Sequence, residues 1–239
     1  MLFQLTKDKF HSEFLGINAL KLERMPEYII TPEKLIQKGS LLFEGPADTD
    51  KTKFVFTWMA HMAAGIPFVE MTPVRPLKIF YLHAGSIDQN FERKIQKMNI
   101  DLNLLPLIYQ NLIISQPFKM KLDEEGVEMI AAEIWESFGN NVDIVVVDSI
   151  RNFYDGNVKD LRENNEAALV DFEEIQIEAL RQSINPDASF ILIHDVNKTN
   201  TSSGNDDSKI LISTKNNKYK LCSKNITRRG RRLKEKFKW

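Results

Sequence analysis

From about residue 40 onward, apolar positions fall alternately into short runs and helical stripes. Ser40-Leu41-Leu42-Phe43 is a short apolar run that predicts a strand. Between Lys51 and Ala64, residues Phe54, Val55, Phe56, Trp58, Met59 and Met62 place apolar groups almost all round a helix. A helix of that kind is expected to be buried, and Gly65 to stop it. Lys78-Ile79-Phe80-Tyr81-Leu82 predicts a second strand, followed by a polar turn and a helix near 88–98, and Leu112-Ile113-Ile114 predicts a third. Val127, Ile130, Ala131, Ile134, Trp135 and Phe138 share one helical face. The β-branched run from Val142 to Val147 ends at Asp148. A last helix over about 164–184 carries Leu169, Phe172, Ile175, Leu180 and Ile184, and a strand over Ser189–Ile193 follows.

Strands that alternate with helices and are apolar on both faces predict an α/β fold, mainly a parallel sheet with helices on both faces. Ligands on such sheets bind at the carboxyl ends of the strands. Three features fall there: the segment 45–52, Asp148 and His194. The expected division is a lead-in over 1–35, an α/β core over 36–200 and a tail over 201–239. The lead-in is weakly patterned, broken by Pro26 and Pro32, and expected to pack on the core. From Lys209 to Trp239 there is little strand pattern, so the tail is expected to be irregular, or truncated.

A length of 239 residues fits one α/β domain with additions. The single cysteine, Cys222, excludes an internal disulfide and suits a reducing compartment. No uncharged apolar run reaches the ~18 residues of a membrane span, and charges interrupt the N-terminal stretch where a signal peptide would be apolar. The expected location is the cytoplasm, with no membrane partner. The net charge of −1 hides a split: residues 215–239 hold eleven Lys/Arg and one acid, for +10, leaving −11 on the rest. Such a tail is the footprint of a nucleic-acid or acidic partner, and equally of a solvated C-terminus.

Residues 45–52 read Gly-Pro-Ala-Asp-Thr-Asp-Lys-Thr, which fits the phosphate-binding pattern G-x-x-x-x-G-K-[S/T] except that Asp50 replaces the second glycine. Backbone N–H groups, a helix N-terminus and a lysine can together hold a phosphate. The segment offering them is Gly45, Pro46, Ala47, Asp48, Thr49, Asp50, Lys51, Thr52 and Lys53, with Lys51 reaching the β- and γ-phosphates and Thr52 ligating Mg²⁺. Asp50 works against this: glycine permits close approach of the backbone, and a carboxylate adds repulsion. Two unit charges about 4 Å apart interact by about 4 kcal/mol at an effective dielectric near 20, close to three decades in affinity. Asp148, followed by Ser149, has the Walker B arrangement of a magnesium-holding acid. After the second strand an ATPase needs a general base, normally glutamate. The stretch His83-Ala84-Gly85-Ser86-Ile87-Asp88 has no glutamate, only Asp88 as the nearest acid and His83 as another base. His194-Asp195-Val196-Asn197-Lys198 is a place where a polar residue can sense a γ-phosphate. Each has an ordinary alternative: a polar turn, a strand terminus, a structural histidine, a strand-to-loop exit.

Taken together and in order, these segments resemble the RecA-like P-loop ATPases, most of all the branch holding the plasmid RepA hexameric helicases and related AAA-type ATPases. The matching pieces are Lys38 to Leu42 running into the loop, Ala63 to Phe68, Ile79 to Leu82, Val145 to Ser149, the helix start Glu163 to Glu166, and His194 to Lys198. The resemblance covers about residues 36–200. It implies a RecA-like core, ATP with Mg²⁺, assembly into a homo-oligomeric ring (a hexamer) and work on single-stranded DNA in replication. It also implies catalytic roles for Lys51, Asp148 and the sensor-like His194, with Thr52 and Asp148 as metal ligands. Departures are Asp50 in the loop and Gly85 where the family carries its catalytic glutamate. The neighbour-reaching arginine finger has no clear counterpart, though Arg228 and Arg229 could reach a neighbour. Impaired hydrolysis is therefore expected, the alternative being an inactive relative with a structural, regulatory or DNA-binding role.

Overall fold

Strands form where the short apolar runs stand, and the alternation of side chains along them decides what each face buries. The structure, a computed structural model, describes residues 28–31, 35–46, 50–84, 91–98, 100–117, 120–157, 166–196, 209–214 and 217–222. β1 (Tyr28–Thr31), β2 (Leu35–Ile36) and β4 (Thr72–Pro73) make a small antiparallel sheet in the order β2-β1-β4. Among the described residues, the main sheet has seven strands: β3 (Ser40–Pro46), β5 (Ile79–His83), β6 (Leu112–Ile114), β7 (Ile144–Asp148), β8 (Ser189–Val196), β9 (Lys209–Thr214) and β10 (Asn217–Cys222). Their order is β10-β9-β3-β8-β7-β5-β6, and the five from β3 to β6 run parallel. This is the expected fold class, a parallel sheet flanked by helices as in a RecA-like P-loop core.

Alternation sends Leu41 and Phe43, Ile79 and Tyr81, Ile144 and Val146, and Ile191 and Ile193 to a first face. There they pack against α1 (Lys51–Ala64), α2 (Phe91–Gln96) and α3 (Leu105–Asn111). Phe80, Leu82, Val145, Val147, Phe190 and Leu192 go to the second face. There they meet α4 (Glu124–Phe138), α5 (Ile150–Phe153) and a long helix built of α6 (Glu166–Asp171), a π-helical segment (Phe172–Ile177) and α7 (Glu178–Ile184). Because every core strand is covered on both sides, its sequence reads as a continuous apolar run.

α1 is buried at ten of its fourteen residues, as its all-round apolar pattern requires. Trp58 wedges it to the sheet, with ring centroids 5.8 Å from Phe43 and 6.5 Å from Phe54. Gly65 ends it in the left-handed region (φ 73°), its N–H reaching the carbonyls of His61 and Met62. A side chain there would also meet the Pro76 ring at 2.8 Å.

Some elements depart from the sequence pattern. Lys209–Thr214 and Asn217–Cys222, left without strand pattern by the sequence, are the antiparallel pair β9 and β10, and β9 covers the free edge of β3. β3 is apolar and well formed, so its edge is a ready template for any extended segment that can reach it. Of the lead-in, the described part packs on the core through Ile29, Ile30 and Leu35. Two expected core positions turn outward, Trp135 at 52% and Ile175 at 65% exposure. The π segment explains Ile175: i→i+5 bonding shifts the phase, so Phe172 is buried together with Ile177 five residues on.

At the amino ends of the strands, Arg75 grips Asp143 through two hydrogen bonds of 2.8 and 2.6 Å, and Lys78 N–H adds a third at 2.8 Å. This ties the lead into β5 to the lead into β7. The stop at Gly65 has a measurable worth. Gly65→Ala should cost about 1–2 kcal/mol for the left-handed backbone alone, and thermal unfolding should show a melting temperature lower by several degrees.

Candidate functional site

α1 begins just beyond the end of β3, and its first residue is Lys51. Asp50 precedes it with φ −68° and ψ 37°; its carbonyl accepts the N–H of Phe54 at 2.8 Å, and its side chain makes no cap. That negative φ is open to any L-residue, so the backbone does not itself demand glycine here. The burden of Asp50 is its exposed carboxylate rather than backbone strain.

The Lys51 side chain folds back over the end of β3. Its ammonium donates to the carbonyls of Gly45 at 2.8 Å and Pro46 at 2.6 Å, and pairs with Asp195 Oδ1 at 2.8 Å. Only 2% of the Lys51 side chain meets solvent, against 31% for Asp195. An ammonium so deeply placed needs partners for all three of its donors, because an isolated buried charge costs far more than a paired one.

Next along α1, the Thr52 hydroxyl donates to Asp148 Oδ1 at 3.2 Å, and the Tyr81 phenol donates to Asp148 Oδ2 at 2.7 Å. Asp148 closes the first-face row that begins with Ile144 and Val146, so it points to the side where α1 starts. Burial pushes the Asp148 carboxyl above its ordinary value; hydrogen bonds from Tyr81 and Thr52 and the nearness of His83 oppose the rise, and Asp195 adds to it. The Tyr81 phenol is raised well above its ordinary value, chiefly by burial and then by the charge and hydrogen bond of Asp148. It therefore stays protonated and donating.

Gly45, Pro46, Lys51, Thr52 and Asp148 thus share one rim at the carboxyl ends of the parallel strands, with exposed Asp50 and Lys53 beside them. His194 is not brought there. It is one residue out of phase, 1% exposed on the second face and in register with Glu44. Its neighbour Asp195 is the residue that meets Lys51. His83 stands in register with Asp148 and two residues beyond Tyr81, on the same face, its backbone N–H donating to Ser115 Oγ at 3.1 Å. Ala47, Asp48, Thr49, Gly85, Asp88, Asn197, Lys198, Arg228 and Arg229 lie outside the described residues.

From the sequence Tyr81 is passed over, and within the stretch 194–198 His194 is singled out where the structure brings Asp195 to Lys51. A tyrosine inside an otherwise apolar buried strand was the available signal, since a buried phenol seeks an acceptor. For Asp195 the signal was its place two residues after Ile193 in the alternating strand.

Thr52 and Asp148 supply hard oxygen donors 3.2 Å apart, the donor type that magnesium takes alongside phosphate and water oxygens. Among the described residues no group of three or more His, Cys, Asp or Glu could hold a metal alone. A magnesium ion at this rim would draw its remaining ligands from phosphate and water, so the residues present fit it. A polar cavity of about 470 Å³, lined by Arg75, Lys78, Asn141, Asp143, Asn185 and Asp187 among others, opens at the opposite end of the sheet. It is far from this chemistry, and the strand-end rule favours the Lys51 rim.

A strand whose end meets a buried lysine at a helix N-terminus, with an aspartate ending the next strand but one in the sheet, defines a P-loop nucleotide-binding α/β protein. Residues 11–201 match the family model of the AAA domain, and the chain belongs to that family of P-loop ATPase-like domains. Membership implies nucleotide binding, usually with Mg²⁺. No curated protein matches the chain. No described helix is long and apolar enough to cross a membrane.

The raised Asp148 carboxyl makes a signed prediction. A carboxylate whose folded pKa lies above its unfolded one loses stability as pH rises through the folded value. The parent should therefore lose melting temperature relative to Asp148→Asn as pH climbs from the acidic to the neutral range, in melts of both proteins. Equal pH profiles would show that Asp148 is not held high. Tyr81→Phe, which removes one hydroxyl, should raise the Mg²⁺ concentration needed for half-maximal nucleotide binding several-fold and leave metal-free binding unchanged.

Proposed function

We propose that this chain binds ATP with Mg²⁺ at the Lys51–Thr52–Asp148 rim and is an ATPase of the RecA/RepA-like replication-helicase type with impaired hydrolysis. The observation that carries the reading is the meeting of Thr52 and Asp148 at 3.2 Å beside the helix start that bears Lys51. In this reading Lys51 holds the β- and γ-phosphates, and the N-terminus of α1 offers its N–H groups and dipole to the anion. Thr52 and Asp148 hold magnesium, and the ion would neutralise phosphate charge when bound. Tyr81 fixes the orientation of Asp148.

Impairment is favoured by Asp50 at the loop and by Gly85 where a catalytic glutamate would stand. His83, on the same face as Asp148, is the described group best placed to serve as a base. Assembly as a ring and contact with single-stranded DNA through the basic residues after Lys215 belong to the same proposal, supported by the ordered resemblance and the charge split. A second reading, a nucleotide-binding relative without turnover, is favoured by the ion pair that engages Lys51 with Asp195.

Calorimetric titration with ATP and Mg²⁺ tests the common premise. Lys51→Ala should weaken binding about tenfold to a hundredfold, the worth of one or two charge-assisted hydrogen bonds. Asp50→Gly should tighten it at least about tenfold, part of the repulsion estimated from two nearby charges. An Asp50→Gly variant that binds no better than the parent would show that the charge at this position is harmless. Brisk ATP hydrolysis by the parent with single-stranded DNA present would decide against the second reading. Ending the chain at Thr214 should reduce DNA binding and its dependence on salt; unchanged binding would remove the tail from the account.

A further inference from the structure

We infer that Asp195 is a built-in phosphate competitor, a side chain that holds Lys51 and thereby sets the affinity of the site for nucleotide; this rests on the nucleotide-binding reading above. A lysine ammonium has three hydrogens to donate. Among the described residues, the Lys51 ammonium donates to the carbonyls of Gly45 and Pro46 and pairs with Oδ1 of Asp195, all within 2.6–2.8 Å. A phosphate oxygen approaching this ammonium competes with these neighbours. The two carbonyls belong to β3, and Gly45 and Pro46 are paired in register with β8. Moving them would break the central parallel ladder. Asp195 is different: it is a side chain at the end of β8, 31% exposed, carrying the same sign of charge as the ligand. It is the acceptor that can turn away into water at least cost.

Affinity is then a difference between two anions competing for one cation. The gain from phosphate on Lys51 is offset by loss of the Asp195 pair. The released carboxylate remains tethered to the rim and opposes the triphosphate. Asp195 lies on the first face by the same alternation that places Asp148 there, which is why it and not His194 plays this part.

The full chain is titrated with ATP and Mg²⁺ as parent, Asp195→Asn and Asp195→Glu, with circular dichroism melts to confirm folding. Acylation of Lys51 by a small amine reagent, mapped by mass spectrometry, is followed in parallel. Asp195→Asn should bind about tenfold more tightly and its Lys51 should acylate faster, while Asp195→Glu should behave as the parent does. A parent that binds, with Asp195→Asn no tighter, overturns the competitor and leaves the nucleotide site standing. Glu tightening binding as much as Asn also overturns it. Binding by Asp195→Asn where the parent shows none supports both. If neither protein binds the nucleotide, both inferences fall.

Discussion

The buried ammonium of Lys51 is the constraint around which the rim is organised. A cation with 2% exposure survives only where protein atoms replace its water. The carbonyls at the end of β3 and the carboxylate at the end of β8 do so, while the start of α1 supplies the lysine. Two parts of the chain distant in sequence, the β3–α1 region and the end of β8, are thereby held to one place. The aromatic wedge of Phe43, Phe54 and Trp58 keeps α1 seated on β3, so lysine and carbonyls approach as parts of one packed unit.

Strand alternation decides which polar residues join that unit. Tyr81, Asp148 and Asp195 stand on the first face, where α1 begins; His194 and Glu44 stand on the second. Shifting a strand by a single residue reverses this assignment. Chemistry at the ends of these strands is therefore set by the parity of residues that, a few positions earlier, merely fill the core. Asp148 shows the coupling directly. It is carried into the interior by an otherwise apolar strand, which raises its carboxyl, and it is made tolerable there by donors from Tyr81 and Thr52.

Much of the core was legible because its strands and helices obey local rules. The helix over Lys51–Ala64, its stop at Gly65, and the β6 and β7 regions follow from apolar runs and a left-handed cap. Less was legible where tertiary partners decide. Trp135 has the helical spacing of a core residue but lies half in solvent, its indole N–H donating to the carbonyl of Ser183 at 3.1 Å. Ile175 was read with an α-helical period, and the π segment changed the period locally. β9 lies along the free edge of β3 and β10 pairs with β9, a placement invisible in their own composition.

By itself, the sequence determined the α/β class, the loop with its Lys51 and Thr52, and the acid at the end of the β7 run, since spacing and periodicity are properties of neighbours in the chain. Only the tertiary structure decided that Asp195 and not His194 meets Lys51, that Tyr81 holds Asp148, and which edge β9 covers. These depend on strand order and on the phase between strands, and no local pattern carries either quantity.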